Sequence, residues 1–345
     1  MISSRMTKRR GATMRPLPNK RNVKPFDEYG NLGGSNPGLV WAKFCDRWES
    51  TECKPLGAPE KLKWIKKFTK TVENPALLTR AAERQKALTE SLGGHHETFT
   101  SDAPFVTGMG LEHPVENGFV WHHTLGVPCL PASSVKGLVR AWAEHWLKED
   151  QGAILRIFGD AAEGAGVGSV IVFDALPVAP VALMAEVLTP HDGGWRQGNA
   201  AAPSDWHSPV PIPFLAVAPE AKFLFSAAPR PGAATGAEDA KTFMAWLAEA
   251  LQWLGAGAKT SVGFGRFLND EARARQAQER KEAEHREAQR REEMAKNAPP
   301  RVGERMQHDE WGLVEIKSIS GDMARVYAIE EAEETDLPVN ELKRP

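Results

Sequence analysis

Apolar residues recur along this chain with two different periods. From Pro37 to Leu92 the spacing is helical: Trp41, Phe44, Cys45 and Trp48 fall at i, i+3, i+4 and i+7, and "EKLKWIKKF" and "PALLTRAAERQKALTESLGG" continue the pattern. Gly93-Gly94 is the expected stop. Residues 98–128 read as extended structure with turns. A helix over about 133–148 follows, with Val135, Leu138, Val139, Trp142 and Trp146 as its apolar stripe and Lys136 and Arg140 on another face. "GSVIVFDALPV" (168–178), "VALMAEVLTP" (181–190) and "AKFLFSAAP" (221–229) predict strands. The intervening 191–214 is rich in Pro, Gly and Trp and too long for a tight turn, which predicts a mobile insertion. A second amphipathic helix, about 239–254, carries Phe243, Leu247, Leu251 and Leu254 and runs into "GAGAKTSVGFGRF".

Strand–helix–strand–strand–helix–strand is the split βαβ order, so the predicted class is α+β with a ferredoxin-like (RRM-like) core. After Asn269 the chain becomes Ala and charge with almost no large apolar residue. Glu282–Arg286 and Glu287–Arg291 are spaced as i,i+4 pairs, which predicts an exposed helix ended by Pro299-Pro300. The last stretch alternates between Gly turns and predicts a small SH3-like, barrel-like β tail. The chain therefore divides into a basic arm (1–26), a helical N-terminal extension (27–97), the core (98–269), a charged helix (270–298) and a β-rich end (299–345).

Composition narrows the function classes. Net charge is −2, yet residues 1–99 carry 19 Lys/Arg against 10 Asp/Glu, while 100–269 carry 10 against 16. Any anion site in the core must therefore be local. The arm, with eight Lys/Arg and no acid, predicts disorder that can order on a polyanion. Three cysteines without CxxC spacing argue against a disulfide framework and a Cys-based zinc site, and fit a reducing cytoplasm. No apolar run suggests a membrane span, and no apolar segment follows the basic start as in a secretory signal.

Two glycine-bearing junctions carry the candidate chemistry. In "GVPCLPASSVKGLVRAW" a proline-bracketed extended segment enters the first core helix. A helix's first N–H groups lack partners and sit at the positive end of its dipole. Ser133 or Ser134 can cap, Lys136 adds a charge, Gly137 lets a ligand approach, and Arg140 extends the positive face, which suits a phosphate. An ordinary capped helix with solvated Lys and Arg is the competing reading. In "GAGAKTSVGFGRF", Gly255, Gly257, Gly263 and Gly265 surround Lys259 and Thr260. The spacing is not that of a nucleotide-hydrolysing phosphate loop, because Ala258 precedes the lysine and the loop follows a helix. Exposed N–H groups and close backbone approach suit an extended ligand, with a Gly-rich turn into an edge strand as the alternative. Two helices packed on one sheet face would let both junctions track one single strand of nucleic acid.

The first junction resembles the G-x-P-x-[IL]-P-G-S-S-[LI]-K-G-x-x-R signature of the RAMP (repeat-associated mysterious protein) superfamily of CRISPR systems, and the second resembles its C-terminal glycine-rich loop. "TGMGLEHPVENGFVWHHTLGVP" and "VIVFDALPV…EVLTPH" are similar to the family of sixth Cmr subunits of type III-B effector complexes. The match covers about 100–268. Ala132, Cys129 and Phe264 depart from the Gly, aromatic and Tyr usual there. The resemblance implies a ferredoxin-like core with insertions and a non-catalytic backbone subunit without cofactor. Such a subunit binds crRNA toward the guide's 3′ portion, faces target RNA, and contacts sibling RAMP subunits and the small helical subunit. It places RNA contacts at Ser133, Ser134, Lys136, Gly137, Arg140, Gly255, Gly257, Lys259, Thr260, Gly263 and Gly265. His191 joins them from the insertion.

Two other classes stand beside this one. Some RAMP relatives cleave RNA with a histidine as general acid or base, and His122, His123 and His191 are the candidates for an endonuclease. Adjacent His122 and His123 point to opposite strand faces and cannot share a site. A protein–protein adaptor without RNA contact would use the Trp-rich surface and charged tail. His95-His96 beside Glu97 lacks metal-ligand spacing, and Asp174 and Asp192 lack companion carboxylates.

Overall fold

The computed structural model describes residues 36–45, 47, 56–72, 74–160, 166–190, 195, 198 and 210–344. The basic arm, Trp48, Cys53, His191, Asp192 and most of the 191–214 insertion lie outside them. Three helices open the chain: α1 (Pro37–Lys43), α2 (Ala58–Lys66) and α3 (Pro75–Ser91). All three have proline in the first two helical positions, where its missing N–H costs nothing. The side chains of Asn36 and Asn74 cap α1 and α3 by accepting from the N–H of Leu39 and Leu77. The helix predicted through Phe44 and Cys45 stops short of them. Phe44 leaves helical geometry at φ −125°, and Cys45 is buried. Trp41 explains why this segment is held: its ring stacks on His113 at 4.4 Å and meets Trp64, Phe68 and Phe119.

The predicted split βαβ order is present. It runs β2 (His95–Ser101), α4 (Ala132–Trp142), α5 (Gln151–Phe158), then the short pair β3 (Val170–Val172) and β4 (Leu176–Pro177). After an inserted hairpin, β5 (Val181–Leu188) and β6 (Ile212–Val217), it resumes with β7 (Lys222–Pro229), α6 (Gly236–Trp253) and β8 (Phe267–Leu268). The sheet order is β3-β7-β2-β8, with β4 also on β7 and every pair antiparallel. With the β3–β4 segment counted as the second strand, this is the ferredoxin-like 4-1-3-2 arrangement. β5 does not join it. It pairs with β6 and with β1 (Thr71–Val72) in a separate three-stranded sheet, and β6 takes residues 212–214 out of the predicted insertion.

β7 is a near-continuous apolar run because both its faces are covered. Phe223, Phe225 and Ala227 join Phe243 and Leu247 of α6 in the core. Ser226, on the opposite face by strand alternation, accepts a hydrogen bond from the Gln85 side chain of α3 at 2.8 Å. Both core helices α4 and α6 pack together, as the split order requires. Asp239 of α6 is buried and accepts from Arg156 of α5, Ser169 and Thr235. Burial pushes its carboxyl up, and the three hydrogen bonds together pull it below the usual carboxylate range.

Two compact units emerge, Met1–Arg273 and Ala274–Pro345. The charged helix Asp270–Asn297 is exposed from Ala277 to Met294, and the predicted Glu282–Arg286 and Glu287–Arg291 pairs form along it, joined by Arg280–Glu284. The end of the chain is a four-stranded antiparallel meander, β9 (Arg305–His308), β10 (Gly312–Ser320), β11 (Met323–Ala328) and β12 (Glu333–Pro338), in the order β12-β11-β10-β9. Met306, Val314, Ile316, Ala324, Val326 and Ala328 form its apolar face. The sheet is barrel-like rather than a closed barrel: residues 341–343 return to β9 through an isolated bridge between Lys343 and Gln307 and the His308–Glu341 pair, without a further strand. Among the described residues no helix is long and apolar enough to cross a membrane.

Candidate nucleic-acid interface

The first junction is a helix N-terminus capped from outside its own segment. Neither Ser133 nor Ser134 caps α4, contrary to the expectation; both side chains are exposed. Pro131 holds the N-cap position, and the Ala132 N–H donates to the Asp174 carboxylate at 2.7 Å. Asp174 enters from the turn between β3 and β4, whose Ala175 also pairs with Leu130. A carboxylate thus occupies the dipole end where a phosphate was expected.

Around α4, at about 100° per residue, Val135, Val139 and Trp142 face the core and are buried. Lys136 and Arg140 form one flank of the outer face. Ser134, Leu138 and Ala141 form the other, and Gly137 lies between. Among the described residues no carboxylate or carbonyl partners the Lys136 ammonium. Partial burial lowers its pKa, and the nearby Arg230 and Arg140 lower it further. A desolvated lysine repelled by two arginines is a strong place for an anion. Arg140 is already committed in part, since its Nε donates to Glu144 at 2.7 Å. Arg230 was not singled out from sequence; its only cue is its place in a Pro-Arg-Pro-Gly turn between a strand and a helix.

The helix flank bearing Ser134 forms one wall of a cleft of about 640 Å³, and the second junction forms the opposite wall with Gly255, Gly257, Ala258 and Thr260. The two junctions are therefore neighbours. Their cations are not cleft residues: Lys136, Arg140 and Lys259 are absent from its lining. Lys259 instead lies over the Phe214 ring, its Nζ 5.6 Å from the centroid. Its backbone is left-handed (φ 64°), an unusual state for a lysine, and it opens the single 3₁₀ turn Thr260–Val262.

The loop's glycines do not all serve one purpose. A Cβ on Gly257 would strike the carbonyl oxygen of Val106, and one on Gly265 the carbonyl oxygen of Ala256. These two, like the crowded Gly255, are required by the loop's own packing rather than by a ligand. Gly137 and Gly263 meet nothing within 4 Å, so open space surrounds them. Backbone bonds from Ala256 to Gly265, from Ala258 to Val106 and from Gly265 to Pro104 hold the loop rigid. Among the described residues the N–H groups of Gly257, Thr260 and Ser261 donate to no protein acceptor and remain available.

Of the described histidines, His145 lines the cleft, while His122 and His96 are engaged by neighbouring groups. The Nδ1 of His122 accepts from the Leu125 N–H at 3.2 Å, fixing a turn, and burial chiefly lowers its pKa. His96 pairs with Glu90. Among the described residues no group of three or more His, Cys, Asp or Glu is arranged to hold a metal ion. Burial, helped by Asp174, pushes the Cys129 thiol up to about 12.

Residues 98–268, the ferredoxin-like core with both junctions, match the family model of the RAMP superfamily. This segment is similar to the RAMP superfamily. The chain is also similar to the CRISPR system Cmr subunit Cmr6 of Pyrococcus furiosus, with 34% identity over 142 residues. That alignment spans 39% of this chain and 39% of the relative. Similar solved structures include a type III-B Cmr-beta complex bound to cognate target RNA, at 21% identity and a TM-score of 0.48, covering 61% of this chain and 70% of that one. The crystal structure of Cmr6 from Pyrococcus furiosus matches at 23% identity and a TM-score of 0.36, covering 51% of this chain and 97% of that one.

Proposed function

We propose that this protein is a non-catalytic, crRNA-binding backbone subunit of a type III-B (Cmr) CRISPR effector complex. It holds the guide's 3′ portion by sugar-phosphate contacts, faces target RNA and stacks on sibling RAMP subunits and the small helical subunit. The observation that carries the reading is the joining of the two motifs across α4. An unpartnered Lys136 lies on one flank, an open Gly137 on the outer face, and the free amides of Gly257 and Thr260 across the cleft on the other flank. A strand crossing α4 over Gly137 would meet the Lys136 ammonium first and the loop amides next, with Ser133, Ser134 and Arg140 beside it. Lys259 and Gly263 extend the path beyond the cleft. All of these groups bind phosphate without reading a base.

The test is binding of labelled single-stranded RNA to the full chain, titrated with salt from about 50 to about 200 mM. Affinity should be insensitive to base sequence and steep in salt, with a log–log slope near −0.7 for each neutralised phosphate. A salt-independent signal, or RNA cleavage by the isolated protein that disappears in His122→Ala, His123→Ala or His191→Ala, would reject the reading.

A further inference from the structure

Trp146 was expected to belong to the apolar stripe of the first core helix, and it does not. α4 gives way after Trp142 to a π-helical turn, Ala143–Leu147, closed by Lys148 in the left-handed region at φ 56°. The wider turn changes the register, and Trp146 emerges 63% exposed. Its ring stacks on Trp142 at 5.8 Å with the planes 15° apart. Trp142 is itself buried, and its indole N–H donates to Glu249 of α6 at 3.0 Å. One face of Trp146 is thus backed by an anchored ring and the other is open. The residue lines the same cleft as Ser134, His145, Gly257 and Thr260.

A single π turn inside a helix departs from the favoured hydrogen-bond geometry and recurs at functional sites. Here it gains no burial for the largest side chain it carries, so the fold does not account for it. We infer that Trp146 is a nucleobase-stacking platform: an unpaired base of the RNA strand in this cleft packs on its open face. The inference rests on the proposed RNA-binding role of the cleft. The surroundings favour a base over an apolar protein segment, because Ser134, His145 and Thr260 offer hydrogen-bonding groups at the edge of the platform. Every base has a flat π face, so the contact tolerates any sequence and adds affinity that phosphate contacts alone do not supply.

The experiment compares the full-length wild type, Trp146→Ala and Trp146→Phe on two strands of equal length. One is oligoadenylate, and the other is the same ribose-phosphate chain without bases. Trp146→Ala should weaken oligoadenylate binding about tenfold and leave the base-free strand nearly unchanged, while Trp146→Phe should retain most of the affinity. Because Trp146 is exposed, the variants should keep the wild-type thermal midpoint. Equal affinity of Trp146→Ala and wild type for oligoadenylate would overturn the stacking role and leave the phosphate-binding role standing. So would an equal loss on both strands, or normal RNA binding combined with failure to assemble with sibling subunits, which would make Trp146 a protein contact. Wild type that binds neither strand would overturn both.

Discussion

The carboxylate of Asp174 accepts the backbone N–H of Ala132 at 2.7 Å, across 42 residues of chain. It caps the helix that carries Ser133, Ser134 and Lys136, and it sets a negative charge at the end of the proposed RNA path. Asp174→Ala removes both effects. The helix should lose about 1 kcal/mol of stability, the usual size of an N-cap, seen as a lower urea midpoint. RNA affinity at low salt should rise about twofold as the repulsion disappears. A fall in affinity of the folded variant would place Asp174 among the groups that hold RNA through a different contact.

Lys136 and Lys259 contribute separately, one on each side of the cleft. Each Lys→Ala change should lower the magnitude of the salt slope by about 0.7, and the double change by about 1.4, measured by fluorescence anisotropy.

Gly137 separates fold from function more sharply. Glycine inside a helix costs up to about 1 kcal/mol relative to alanine, and a Cβ there meets nothing. Gly137→Ala should therefore raise the thermal midpoint while weakening RNA binding several-fold. Gly257→Ala should do the opposite of stabilising: with φ at 82° and the Val106 carbonyl beneath it, it should cost at least about 2 kcal/mol. An unchanged urea midpoint for Gly257→Ala would contradict the packed loop.

His113 gives the first unit a pH dependence. Burial lowers its pKa below the ordinary 6.5, opposed by the Trp41 carbonyl that accepts from its Nε2. Well above pH 6.5 both the folded and the unfolded ring are neutral, so the residue contributes no slope. Below that value the unfolded chain takes up a proton that the folded one resists, and stability falls until the folded ring also titrates. His122 is shifted in the same direction, chiefly by burial. Unfolding midpoints should be flat well above pH 6.5 and decline as the pH falls through that value. His113→Phe, which keeps a ring against Trp41, should reduce the decline without abolishing it.

The order of elements was legible because periodicity is local. Phe243, Leu247 and Leu251 share one side of a single helix whatever surrounds them, and all three are buried. The charged helix and its i,i+4 pairs were equally plain. Helix ends were less so. Trp41, Phe44 and Cys45 have helical spacing, yet the helix ends at Lys43 and Phe44 is non-helical, while Trp41 packs on His113 and Phe119.

For the site, sequence alone established that two glycine-bearing junctions with one lysine each follow the segments of a split βαβ core. It also indicated that the lysines, serines and open N–H groups there suit a phosphate chain. Tertiary contacts decided the rest. Asp174 became the cap because the β3–β4 turn closes over α4. Gly257 and Gly265 became packing residues because carbonyls of Val106 and Ala256 lie where their side chains would be. Trp146 turned outward because the helix widens after Trp142. Each of these depends on the position of atoms that periodicity along one segment does not specify, and the roles of neighbouring residues diverged accordingly.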